Sequence, residues 1–259
     1  MWLSHKYGPH VHILQTPLTQ LWLGELCRQE TKQPRLNQLV ENLYRELIRV
    51  AVDHLLPREH IRYATRMASQ HPTAAQVEAE VIAHNTRAIV VNLARAGTWP
   101  SHICYHFLNE ILNPDLVRQD HIFAARKSNS LHQVTNTELG AHKIGGDKEA
   151  AWILFPDPMG ATGHTITAAV EHYLNHITGQ ATRWIALHLI VTPEYLRRIA
   201  RLPVPVEILA LRVDRGLSPQ HVLTSTPGEF WDLEKGLNDR DYIVPGAGGL
   251  GELLNNSYV

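Results

Sequence analysis

The sequence predicts an α/β fold, a parallel sheet flanked by helices, on three observations. From residue 88 onward, apolar strand-like runs alternate with helical patterns, strand then helix then strand at short spacing. The runs are continuously apolar rather than alternating, as expected of strands covered on both faces. At 259 residues, 44% hydrophobic and 19% charged, the chain is large enough for one substantial core.

In order along the chain, Leu36, Leu39, Val40, Leu43, Leu47 and Val50 recur at helical spacing and predict a long amphipathic helix ending near Pro57. The mixed, charged stretch from Pro57 to about Gln76 is compatible with a turn, a hairpin or a short helix. Strands are then expected at 88–94, 121–125, 151–156 and 183–191, with helices near 100–112 and 163–177. Two segments read as mobile or inserted. Lys127 to Lys148 is polar, with Ser128, Asn129, Ser130 and the pair Gly145-Gly146, and suits either a surface excursion or a lid that excludes water. Leu217 to Lys235, holding Pro219, Pro227, Gly228, Phe230 and Trp231, reads as an insertion bearing on a ligand pocket or a subunit contact.

Composition narrows the function. Lys plus Arg number 24 against 25 Asp plus Glu, a formal charge of −1, so no global field favours nucleic acid or an acidic membrane and any anion site must be local. Two cysteines, Cys27 and Cys104, make no disulfide framework and suit a reducing compartment. Met1 to Pro9 lacks the apolar core of a signal peptide, no later run approaches a membrane span, and a cytoplasmic location is the expectation. Of the 17 histidines, His102 and His106 stand at i and i+4, yet Ile103, Phe107 and Ile111 point to an amphipathic helix that carries histidines rather than to a metal site. His10 and His12 read as surface residues.

The most informative segment is 151–165. An apolar run, Ala151 to Pro156, opens into Asp157-Pro158-Met159-Gly160-Ala161-Thr162-Gly163-His164-Thr165, and a helical pattern follows. A buried strand ending in small and hydroxyl residues at a helix N-terminus directs backbone N–H groups and the positive end of the helix at one spot, a seat for an anion. Gly160, Ala161 and Gly163 permit close approach, Thr162 and Thr165 offer hydroxyls, and Asp157 can accept from sugar hydroxyls. The ligand so implied is a sugar phosphate. No Gly-Lys-Ser or Gly-Lys-Thr closes the loop, which excludes a Walker A reading; an ordinary strand-to-helix turn is the plain alternative. Arg95 follows the 88–94 run and Arg126 the 121–125 run, so both arginines and Asp157 fall at the carboxyl ends of strands, where open α/β sheets place their sites. Each arginine also reads as a solvated residue after a strand. Gly246-Ala247-Gly248-Gly249-Leu250-Gly251 satisfies Gly-x-Gly-x-x-Gly, but only eight residues follow it, too few for a dinucleotide fold.

The 157–165 loop resembles the phosphoribosyl diphosphate loop of the uracil phosphoribosyltransferases, a family within the type I phosphoribosyltransferase fold. Gly160 stands where a larger apolar residue is common and His164 where a second glycine is usual. Ala94-Arg95-Ala96-Gly97 is similar to the family's Leu-Arg-Ala-Gly turn, and Arg126 matches a second arginine. The resemblance implies that Arg95 and Arg126 bind the diphosphate; a guanidinium suits that task as a planar, permanently charged fork. Gly236-Leu237-Asn238 followed by Tyr242 to Glu252 looks like the uracil-binding loop, with Ile243, Gly248, Gly249 and Leu250 lining the base. Relatives usually carry Gly-Asp-Ala-Gly-Asp where this chain has Gly248-Gly249-Leu250-Gly251-Glu252, so a carboxylate is missing at 249 and Glu252 replaces the second aspartate on a longer stem.

The resemblance implies a single type I phosphoribosyltransferase-like domain over 1–259: an N-terminal helical part to about 84, a core over about 85–215, and a C-terminal base-binding hood over about 216–259. It further implies transfer of a phosphoribosyl group from phosphoribosyl diphosphate to uracil, giving UMP. Asp157 and Arg126 would be catalytic, residues 157–165 with Arg95 would hold the sugar diphosphate, and Mg²⁺ would arrive on the substrate diphosphate, with no protein-only metal site. It implies a homodimer or larger homo-oligomer whose partners are small molecules, neither nucleic acid nor membrane. Gly249 keeps two alternatives open: a phosphoribosyl diphosphate-binding sensor without transfer activity, and a transferase for another base. His164 is expected to take up a proton and steepen phosphate binding below pH ~6.5.

Overall fold

The computed structural model describes residues 2–128 and 134–258, the side chains of 125–138 apart. Six parallel strands lie side by side because nearly every run of apolar residues is buried on both faces. β1 (Val11–Ile13), β4 (Ala88–Ala94), β5 (Val117–Ser128), β7 (Trp152–Pro156), β9 (Arg183–Val191) and β10 (Val206–Val213) take the order β1-β10-β9-β7-β4-β5, and β6 (Val134–Lys143) closes the far edge antiparallel to β5. The two-residue β8 (Met159–Gly160) pairs with β9.

Alternation along the strands divides the core in two. Val90, Leu154, Ile185, Leu187 and Leu209 point to one face, under α1 (Pro17–Leu26), α2 (Arg35–Leu55) and α3 (Thr98–Ile111). Ile89, Val91, Ile153, Phe155 and Ala186 point to the other, under α4 (His164–His176) and α5 (Pro193–Ile199). The helix expected from Leu36 to Val50 is α2, which buries Leu36, Leu39, Val40, Leu43 and Leu47. Among the described residues no helix is long and apolar enough to cross a membrane.

The structure departs from the sequence expectations in three places. The N-terminal part is not helical throughout: Val11–Ile13 is an edge strand on β10, its register fixed by Val11 opposite Ile208. The stretch after Pro57 is a hairpin, β2 (Arg58–Ala64) antiparallel to β3 (Gln76–Ile82), with every residue of β2 exposed. Within Lys127–Lys148, residues 134–143 form a strand rather than an irregular excursion, and residues 129–133, the centre of the expected lid, lie outside the described residues.

The 217–235 insertion, which holds the short α6 (Gln220–Leu223), braces the N-terminal segment. Glu234, its side chain fully buried, accepts from Tyr7 Oη at 2.6 Å, Arg215 Nη1 at 2.8 Å and Gly228 N at 2.8 Å, while Trp231 Nε1 donates to Pro193 O at 3.0 Å. None of residues 217–235 borders the cavity described next.

Candidate active site

The site grows from the end of β7. Asp157 N–H donates to Leu187 O at 3.1 Å, and that carbonyl also accepts from Tyr44 Oη of α2 at 3.0 Å. Asp157 O accepts from His188 Nδ1 at 2.5 Å, and His188 Nε2 lies 2.5 Å from Tyr195 Oη. A carbonyl can only accept, so the proton is on Nδ1 and Nε2 takes the Tyr195 hydroxyl proton. Full burial keeps this ring neutral, its pKa lowered to about 4. The main chain of Asp157 is thus fastened on both sides, and its Oδ1 accepts from Met159 N at 3.3 Å.

The following loop is held from behind. Thr192 N–H donates to Gly160 O at 3.0 Å, Thr192 Oγ1 to Ala161 O at 2.6 Å, and Arg198 Nε to Thr162 O at 2.8 Å. Three consecutive carbonyls are therefore engaged by residues that do not border the main cavity. Gly163 then caps α4 at φ +81°, a left-handed turn that a side chain would strain, and brings the positive end of a 13-residue helix to the loop.

Arg95 reaches the same place from β4. The Ala94–Arg95 peptide is cis, and two residues on, Gly97 leaves no room for a side chain: a Cβ there would lie 2.8 Å from Leu93 O and 2.9 Å from Pro156 O, so the ends of β4 and β7 can meet. Arg95 Nη1 donates to Ser257 Oγ at 2.8 Å and Ser257 O at 3.2 Å, and Nη2 lies 4.0 Å from Glu252 Oε1. The C-terminal loop is tied to the end of β10 by the Arg212–Asp214 ion pair at 2.5 Å. Asp214 Oδ2 accepts from Gly246 N at 2.7 Å, and Arg212 Nη2 donates to Gly246 O at 3.2 Å.

These segments enclose one cavity of about 460 Å³. Arg95, Asp157, Met159, Ala161 and Thr165 border it, and so do Ile243, Gly248, Gly249 and Leu250, so the two segments singled out in the sequence come together at one space. Ala124 borders it from β5, two positions before Arg126; the Arg126 backbone pairs with Thr137, and its side chain lies outside the described residues. Pro158, Gly160 and Gly163 shape the loop instead of bordering the cavity. Thr162 and His164 face a neighbouring cavity of about 290 Å³ with Arg197, Arg198 and Arg201, and Asp241 borders both cavities. His164 Nδ1 is 2.9 Å from Thr162 Oγ1, and burial followed by the charge of Arg198 lowers its pKa, which moves the expected protonation to lower pH than ~6.5.

Sequence reasoning missed Asp241, His188 and Arg198. Asp241 directly precedes the recognised Tyr242-Ile243; the other two carried no local signal, one lying inside an apolar strand and one on a short helix. No group of three or more His, Cys, Asp or Glu able to hold a metal occurs among the described residues. The carboxylates that border the cavity, Asp157, Asp241 and Glu252, are hard oxygen donors of the kind Mg²⁺ takes alongside substrate phosphates, so the residues fit a cation that enters with a diphosphate.

A mostly parallel sheet flanked by helices, with the 157–165 loop, the Arg95 turn and a glycine-rich C-terminal segment converging at its carboxyl edge, defines a protein of the type I phosphoribosyltransferase fold. A solved Aquifex aeolicus structure shares this fold with a TM-score of 0.69 at 21% identity, covering 96% of this chain and 99% of that one. Adenine phosphoribosyltransferase from Leishmania donovani gives a TM-score of 0.50 at 9% identity, covering 84% and 89%. The chain belongs to the uracil phosphoribosyltransferase family, whose model matches residues 13–232. That match reaches further toward the N-terminus than the motifs do and stops short of the C-terminal loop. A uracil phosphoribosyltransferase of Variovorax paradoxus is 24% identical over 95% of this chain and 97% of its own length. The Aquifex aeolicus enzyme of that name is 31% identical over 39% of this chain, and the Pyrobaculum islandicum one 28% over 51%. The aligned stretches span 38% and 51% of those two relatives.

Proposed function

We propose that this protein transfers the 5-phosphoribosyl group from phosphoribosyl diphosphate to uracil, forming UMP and diphosphate. The observation that carries the reading is the shared cavity: Arg95, Asp157 and Thr165 line the same space as Ile243 and Gly248–Leu250, as a reaction joining a sugar phosphate to a flat base requires. In this reading the loop N–H groups and the α4 N-terminus hold the 5′-phosphate, and Asp157 accepts from the ribose hydroxyls. Arg95 and Arg126 hold the diphosphate as it departs, and main-chain groups of the glycine-rich loop orient the base. Mg²⁺, when bound with the diphosphate, supplies further charge neutralisation. Catalysis then consists of positioning and charge stabilisation, with no nucleophilic side chain. Family membership and fold support the class of reaction; the match of Ile243 and Gly248 to a uracil-binding loop supports the base.

The test incubates the purified protein with phosphoribosyl diphosphate, Mg²⁺ and each common nucleobase in turn, with chromatography of the products. UMP from uracil alone is expected. Product from a different base would reassign the acceptor, and binding of phosphoribosyl diphosphate without product from any base would replace transfer by sensing. We also propose a homodimer or larger assembly, which light scattering on the eluted protein would check.

A further inference from the structure

Gly249 and Glu252 act as a pair. A Cβ at position 249 would lie 2.2 Å from Glu252 Oε2 and 3.2 Å from its Cδ, so the Glu252 carboxylate fills the space that any residue larger than glycine would need at 249. Residue 252 lies in α7 (Leu250–Leu253), the single turn that follows Gly249. Its carboxylate stands 4.0 Å from Arg95 Nη2, and its backbone carbonyl accepts from Ser257 N at 3.1 Å, the residue whose hydroxyl and carbonyl both accept from Arg95. Both side chains border the main cavity and are about one-third exposed there.

This placement creates a charge problem for the ligand proposed above. A sugar diphosphate seeking Arg95 meets a carboxylate beside it, and like charges a few ångströms apart repel. The repulsion turns to attraction when a divalent cation stands between carboxylate and phosphate oxygens, since Mg²⁺ binds through one or two carboxylates together with substrate phosphates. Arg95 accordingly addresses the phosphate and Glu252 the cation.

We propose that Glu252 makes this pocket selective for the Mg²⁺ complex of the sugar diphosphate over the metal-free anion, and that the missing side chain at Gly249 is what seats it. The inference rests on the phosphoribosyl diphosphate reading. It assigns to this chain a cation-facing carboxylate supplied from residue 252, three positions beyond the glycine.

The experiment is calorimetric titration of phosphoribosyl diphosphate, with Mg²⁺ and with the metal chelated, into the parent protein, Glu252→Gln, Gly249→Ala and the double variant. Gly249 has φ −81°, open to alanine, and the atom that alanine would meet is the end of a flexible side chain, so Gly249→Ala displaces Glu252 without breaking the backbone. Thermal melts confirm that each variant is folded. The parent should bind the Mg²⁺ complex at least tenfold more tightly than the bare anion, and either substitution should shrink that ratio about tenfold, chiefly by weakening the Mg²⁺ complex. The double variant should add little to either single change, as expected of two residues acting through one group. A ratio unchanged in Glu252→Gln would overturn the inference while leaving the function standing. A Gly249→Ala protein that matches the parent would overturn the seating of Glu252 by Gly249. A parent that binds the sugar diphosphate in neither form would overturn the functional reading and this inference with it.

Discussion

Lowering the pH from ~6.5 toward ~4 should destabilise the protein through His188, a residue that touches no bulk water and holds the carbonyl of Asp157. Burial lowers its pKa from 6.5 to about 4 in the folded state. As acid is added, the unfolded chain takes up a proton near 6.5 while the native ring refuses it until about 4, so across this window the unfolded state binds more protons and stability falls. Above the window the contribution is present in full. At about 1.36 kcal/mol per pH unit, the loss comes to roughly 3 kcal/mol, a large part of a typical domain's stability. Urea unfolding followed by tryptophan fluorescence at a series of pH values would measure it. His188→Asn is the control, because its amide can replace Nδ1–H as donor to Asp157 O but does not titrate. The variant should be weaker at pH 7.5, having lost the acceptor for Tyr195, and flatter with pH. Glu207, held down to about 2 chiefly by its hydrogen bond from His12, loses its contribution only as pH falls from 4.5 toward 2, whereas His5, His54, His164 and His172, also lowered by burial, act in the same direction as His188 below 6.5, so the difference between the parent and His188→Asn is what isolates His188. Parallel pH curves for the parent and His188→Asn would refute the assignment.

Three further outcomes are expected. Glu234→Ala should cost about 3–5 kcal/mol, because it leaves the nearly buried Arg215 without its carboxylate and Tyr7 without its acceptor; a loss under about 1 kcal/mol on chemical denaturation would show that the 217–235 segment is not a brace. Gly163→Ala should cost about 1–2 kcal/mol from its left-handed φ, and its affinity for phosphoribosyl diphosphate should fall about tenfold or more as the loop shifts. Unchanged affinity by calorimetry would remove the loop from the phosphate site. Arg126→Ala should lower turnover by orders of magnitude, about 100-fold or more, with uracil KM little changed, whereas retention of most activity in a steady-state assay would remove that arginine from the chemistry.

The strands over 88–94, 151–156 and 183–191 and the helices near 100–112 and 163–177 were legible because hydrophobic periodicity and continuous apolar runs are properties of neighbours in sequence. The 157–165 loop was legible for the same reason: strand end, turn glycines and helix start occur within a dozen residues. Val11–Ile13 offered three residues and no pattern, and only pairing with β10 makes it a strand. The hairpin after Pro57 was ambiguous because β2 buries none of its residues and so has no inward face to betray its period. His188 looked like one more member of an apolar strand until Asp157 O and Tyr195 Oη were found on either side of its ring. The sequence by itself determined the parallel α/β sheet, the place of the 157–165 loop at a carboxyl edge, and the departure at Gly249. The tertiary structure alone decided that Arg95 meets Ser257 across 162 positions of chain and that the Glu252 carboxylate fills the space beside Gly249. Contacts of that kind depend on how β4, β10 and the C-terminal loop converge, and residue order constrains such convergence only through packing of the whole core.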